Sequence, residues 1–144
     1  MKVARFIILL SLCAMSLAWT LPAPAVEELS YDVVVAGGGA GGSAAAIQAA
    51  RLGASVAIIE ETGTIGGQMT AAAVSTMDDM YGNRSGLYGE FIDKVKARYG
   101  EKGKSLGTCY WSPITIAFEP HIGEAVLYEM IEETRNGKGL TPKG

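Results

Sequence analysis

Several things are scarce in this 144-residue chain, and each scarcity removes a class of function. Histidine occurs once, at His121, and cysteine twice, at Cys13 and Cys109, so no His/Cys cluster at metal-ligand spacing can be assembled. Asp78-Asp79 and Glu132-Glu133 then read as solvated surface acids, and no metal is expected. Basic clusters are missing: Lys and Arg total 12 against 15 acids, the net charge is −3 and the pI is near 5.2, which argues against a nucleic-acid partner. No apolar run reaches the ~20 residues that cross a bilayer. Proline is sparse at 5, aromatics make up 8%, and no internal repeat or low-complexity tract is present. One domain of modest size is the expectation.

The first apolar run is nonetheless informative. Lys2 and Arg5 precede Phe6 to Leu17, and Ala23-Pro24-Ala25 closes the segment with small residues around a cleavage point. That is the layout of a secretory signal peptide over residues 1–25, with Ala18 as a second cleavage position. Export to the periplasm or exterior is expected, with no stable membrane span after cleavage. Bulky Leu12 argues against Cys13 as a lipid-modified residue, and no twin-arginine pair is present. The mature chain from Val26 keeps one thiol, Cys109, which has no internal partner for a disulfide. A redox-active pair is excluded on the same ground, and Cys109 reads as a free thiol.

Glycine is what the chain has in excess. All 19 follow residue 25, without period, mostly in clusters. The densest is Gly37 to Gly42, set between Val33-Val34-Val35 and the alanine-rich Ser43 to Ala50. An apolar run over Tyr31 to Ala36 without alternation predicts a strand buried on both faces, as in a parallel sheet covered by helices. A thin helix follows over 42–52 and Gly53 ends it; Ala54 to Ile59 is a second buried strand closed by Glu60-Glu61. The product is a β-turn-α-β unit with a right-handed crossover, an α/β Rossmann-like arrangement.

A nucleotide diphosphate accounts for the glycines. In G-x-G-x-x-G the first glycine, Gly37, makes the tight turn; the second, Gly39, lets the main chain approach a pyrophosphate; the third, Gly42, lets helix and strand pack closely. Unpaired amides at the helix start suit an anion, and the ligand is expected to offset the entropy of ordering the turn. Glu60, 23 residues after Gly37, can accept hydrogen bonds from both hydroxyls of an adenosine ribose and would repel a 2′-phosphate.

Beyond this unit, Thr62 to Thr70 is a loop with a Gly66-Gly67 pair. Leu87, Phe91, Val95 and Tyr99 predict a helix over 87–99, and a polar loop spans Gly100 to Gly107. Ile114 to Phe118 is a candidate strand, and Ile122, Val126 and Met130 mark a helix from Pro120 to Thr134, capped by Asn136-Gly137. His121 falls in its first turn and reads as a surface or capping residue; Tyr110-Trp111 reads as ordinary packing.

The segment Tyr31 to Glu60, YDVVVAGGGAGGSAAAIQAARLGASVAIIE, resembles the dinucleotide-binding segment of FAD-dependent oxidoreductases of the glutathione-reductase structural class. TGTIGGQMT, Thr62 to Thr70, resembles their second loop, which contacts the phosphate and ribityl chain. GGQMTAAAVS and FEPHIGEAVLYEMIEE resemble the subgroup known simply as FAD-dependent oxidoreductase, many of whose members are exported bacterial proteins. The resemblance implies FAD as cofactor, with Gly37, Gly39, Ala40, Gly41 and Gly42 at the pyrophosphate and Glu60 at the ribose. Gly66, Gly67, Gln68, Met69 and Thr70 would line the path toward the ribityl chain and isoalloxazine. It implies hydride or electron transfer on a small-molecule substrate, and names no catalytic residue. Such enzymes are several times longer, so residues 26–144 are expected to be the N-terminal part of an FAD-binding domain, completed by a C-terminal remainder. Two alternatives stand beside this reading: an NAD-dependent dehydrogenase, disfavoured by the Gly66-Gly67 loop, and a non-catalytic or degenerate nucleotide-binding fragment.

Overall fold

In the computed structural model, residues 28–78, 84–103, 106–109 and 112–135 are described. The chain divides into two units, Met1–Ser30 and Tyr31–Gly144. The expected leader, Asp79, Tyr110-Trp111 and Asn136-Gly137 lie outside the described residues.

The β-branched run forms strand β1, Val33–Ala36, and the second apolar run forms β2, Val56–Ile59. They pair in parallel, Val33 opposite Val56 through Ala36 opposite Ile59. Parallel pairing needs a crossover, and helix α1, Ala40–Arg51, supplies it. It starts two residues before the expected position, because the glycines themselves take up the first turn. Gly53, at φ +94°, ends it in a conformation that side chains resist. At the entry to both strands, Asp32 Oδ2 accepts the Ser55 amide at 2.8 Å and the Ser55 hydroxyl at 2.7 Å. The Asp32 amide returns a bond to Ser55 Oγ at 3.0 Å, so one residue pair fixes the register. The Ser55 hydroxyl and amide together hold the Asp32 carboxyl below its usual range.

The strands are not buried on both faces as expected. Val34 is 56% exposed and Ile59 62%, and the register puts them on the same face with Ala36. Ser43, Ala46 and Ile47 of α1 are buried, whereas no described residue covers the opposite face of the pair.

Helix α2, Gly86–Glu101, follows from the four-residue stripe: Phe91, Val95 and Tyr99 are buried, along with Ile92 between them. Helix α3, Pro120–Arg135, likewise buries Ile122, Val126, Leu127 and Met130. These residues join Ile47, Ile65, Met69, Ile116 and Phe118 in one core, with Phe91 meeting Phe118 edge-on at 5.6 Å. Full burial of such a side chain is worth about 1.5–3 kcal/mol.

Three short strands make a second, antiparallel sheet in the order β3-β5-β4: β3 is Thr76–Met77, β4 Gly107–Cys109 and β5 Ser112–Ala117. β5 is the expected strand, begun two residues early. β3 and β4 were not anticipated, and Gly107, assigned to a loop, opens β4.

Ion pairs lock the three helices together. Arg51 makes a two-pronged pair with Glu90, at 2.7 and 2.6 Å, joining α1 to α2. Lys94 reaches Glu129 at 2.8 Å and Glu133 at 2.7 Å, and Arg98 reaches Glu129 at 2.6 Å, joining α2 to α3. Glu133 is therefore a partly buried ion-pair partner rather than a solvated acid; Glu132 pairs with Arg135 at the surface.

Candidate functional site

The turn between β1 and α1 uses three glycines for three different physical reasons. Gly37 has φ +94°, which only glycine adopts cheaply, and its amide donates to Ile59 O at 2.7 Å. A Cβ on Gly42 would lie 1.9 Å from Gly37 O and 3.2 Å from Val35 Cγ1, so a bare backbone there is what lets helix approach strand. Gly39 needs neither excuse. Its φ is −59°, and a Cβ built on it would meet no atom within 4 Å. Gly41 is open in the same way. Among the described residues no atom requires these two to be glycine, and the bare main chain leaves open space where a ligand could lie.

Gly39 is the N-cap of α1 and contributes no side-chain cap. The first amides of a helix have no intrahelical acceptor and carry the positive end of its dipole. Ala40, first residue of α1, is exposed beside them.

Gly38 is the junction that sequence reasoning passed over. Its amide donates to Glu60 Oε2 at 2.6 Å. Its carbonyl accepts the Ser43 hydroxyl at 2.8 Å and the Gly66 amide at 2.7 Å. Ser43 is fully buried, and its amide also closes on Gly39 O at 2.8 Å. The protein's own bonds therefore contribute to holding the turn. The only signal for this was a serine among alanines on the first turn of α1.

Glu60 stands where β2 ends. Besides Gly38, its Oε1 accepts the Thr62 amide at 2.9 Å and the Thr62 hydroxyl at 2.8 Å. The Thr62 amide, then its hydroxyl, then the Gly38 amide hold the carboxyl below its ordinary range, so it is an anion at neutral pH.

The Gly66-Gly67 loop packs directly on the turn. Gly66 bridges to Gly39, and a Cβ on Gly67 (φ +59°) would sit 2.9 Å from Gly39 Cα. Gly66, at φ +103°, has no room either, with Thr70 Oγ1 2.7 Å from its Cβ position. Of the remaining loop residues, Gln68 is exposed, while Met69 and Thr70 are buried. The Thr70 hydroxyl donates to Ile65 O at 2.6 Å and so serves the loop itself. Met69 lines an apolar cavity of about 170 Å³ together with Ala40, Ala44, Phe91 and Met130.

The remaining candidates lie elsewhere. His121 is exposed in the first turn of α3, and Cys109 ends β4. Among the described residues no group of three His, Cys, Asp or Glu could hold a metal ion, and no helix is long and apolar enough to cross a membrane.

A family model described as FAD dependent oxidoreductase matches residues 32–141. Among solved structures, THI4 of Thermovibrio ammonificans is similar at 19% identity with a TM-score of 0.45, over 98% of this chain and 45% of that one. The chain thus spans less than half the length of that structure's chain. No curated protein matches it.

Proposed function

Since the chain belongs to the FAD dependent oxidoreductase family, whose cofactor is FAD, we propose that residues 31–70 form its FAD-binding half-site in the glutathione-reductase manner. The observation that carries this is Gly39: a glycine with ordinary φ and empty space at its Cβ position, at the head of an uncapped helix. In this reading the main chain of Gly37, Gly39, Ala40, Gly41 and Gly42 lies against the pyrophosphate. Charge-assisted bonds from the first amides of α1 hold the anion. Glu60, already ionised, accepts a ribose hydroxyl and repels a 2′-phosphate. Gly66 and Gly67 keep the second loop close enough to flank the ribityl chain, with Gln68, Met69 and Thr70 following. Bound there, the flavin supplies hydride and electron transfer, and the protein binds and orients it. Residues 1–25 act as an export leader in the same proposal, supported by their basic start, apolar run and small-residue close.

Titrating the full chain with FAD and with NADH tests the cofactor assignment. A quenched, yellow complex that survives gel filtration supports it, and selective uptake of NADH refutes it.

A further inference from the structure

Thr62, first residue of the loop that carries the Gly66-Gly67 pair, supplies two of the three side-chain hydrogen bonds that Glu60 accepts. A carboxylate offers about four acceptor positions, two on each oxygen. Thr62 fills both positions of Oε1, by its amide at 2.9 Å and its hydroxyl at 2.8 Å. Gly38 fills one position of Oε2, at 2.6 Å. Oε2, the oxygen that faces the glycine turn, thus keeps an open position, the Glu61 amide adding only the smallest of the bonding contributions to the carboxylate. The hydroxyl of Thr62 also lies 2.8 Å from Thr64 O, but it has a single proton, and a charged carboxylate is the stronger acceptor.

We propose that Thr62 is the positioning residue of the ribose site: it saturates Oε1 and fixes the carboxylate so that Oε2 alone is presented to one sugar hydroxyl. This rests on the FAD reading above and adds to it a residue and a division of labour between the two oxygens. Both donors that set the geometry come from one exposed loop position, so the side chain can be changed without touching the core. Bonds from Thr62 and Gly38 account for the lowered titration of Glu60, with a lesser contribution from the Glu61 amide and with burial opposing; no charged side chain takes part. Loss of the Thr62 hydroxyl therefore has a defined signature. Glu60 titrates at higher pH, and its carboxylate gains freedom to rotate.

The test compares Thr62→Val, which keeps shape and amide but lacks the hydroxyl, with Thr62→Ser, which keeps the donor. Glu60 is followed by carboxyl-carbon NMR in the ligand-free full chain, and FAD affinity is followed by fluorescence quenching from neutral to acid pH. In T62V the Glu60 titration should move up, FAD affinity should fall about fivefold, and the acid-side loss of binding should begin at higher pH. T62S should match the wild type. If T62V binds FAD with wild-type affinity and pH profile, or if its affinity falls with no change in the Glu60 titration, Thr62 does not position the carboxylate and the proposal is overturned alone. If the wild type takes up no FAD at all, the cofactor reading fails, and the proposal goes with it.

Discussion

Alanine at Gly39 and alanine at Gly42 should separate binding from folding within a single turn. At Gly42 the new Cβ would have to stand 1.9 Å from a backbone oxygen, when contacts below 3.0 Å essentially never occur. Turn and helix would need to part by about 1.1 Å, and the obstacle is backbone, which cannot swing aside. Overpacking of this kind costs about 3 kcal/mol or more, and in a domain of this size each kcal/mol moves Tm by about 4 °C. G42A should therefore melt at least about 12 °C early. At Gly39 the arithmetic reverses. Its φ of −59° suits alanine, and its Cβ meets nothing. The reduced freedom of the unfolded chain gains about 0.4–1 kcal/mol, which the poorer N-cap cancels. G39A should melt within a few degrees of wild type. Its methyl group would occupy the surface proposed to lie against the pyrophosphate. Loss of one charge-assisted bond, about 2–3 kcal/mol, lowers FAD affinity about a hundredfold. Thermal unfolding by circular dichroism and FAD titration measure the two effects. Wild-type FAD affinity in G39A, or a melting point as low as that of G42A, would refute the assignment of the glycines.

Two further outcomes follow from the helices. Arg51 holds the carboxyl of Glu90 below its ordinary value, and Lys94, then Arg98, do the same to Glu129. Groups lowered in this way stabilise the fold above the unfolded value of 4.5 and lose that contribution as pH falls through the lowered values. Urea midpoints should hold near neutrality and drop below about pH 4.5, and the double variant E90Q/E129Q should flatten that drop by about 1 kcal/mol per site; an unchanged pH profile would sink the account. Ala44→Leu places extra carbons in the 170 Å³ cavity and should raise stability by about 1 kcal/mol, read as a higher urea midpoint. Destabilisation would mean that the cavity cannot admit the side chain.

What could be read in advance was what a local pattern dictates. The four-residue stripes gave α2 and α3 to within about two residues at each end, and the glycine turn with its flanking strands gave the βαβ unit. Strands β3 and β4 were illegible because two or three residues carry no period; they exist through pairing with β5. The contacts that matter most in the turn were hidden for a related reason. Gly38, Ser43 and Thr62 act through hydrogen bonds between segments up to 28 residues apart, and a motif written along one strand and helix records none of them. The expectation of strands buried on both faces failed at Val34 and Ile59 because composition reports what a strand tolerates, while its cover comes from distant chain.

The wedge of Gly42 against the Gly37 carbonyl has a consequence for how a guest is received. Where the turn is held by its own bonds, the entropy of ordering it is surrendered when the chain folds and would not be charged again on association with the proposed ligand. Capture then resembles a key entering a cut lock: encounter is governed by diffusion and charge rather than by rearrangement, and selectivity resides in how quickly an ill-fitting molecule leaves.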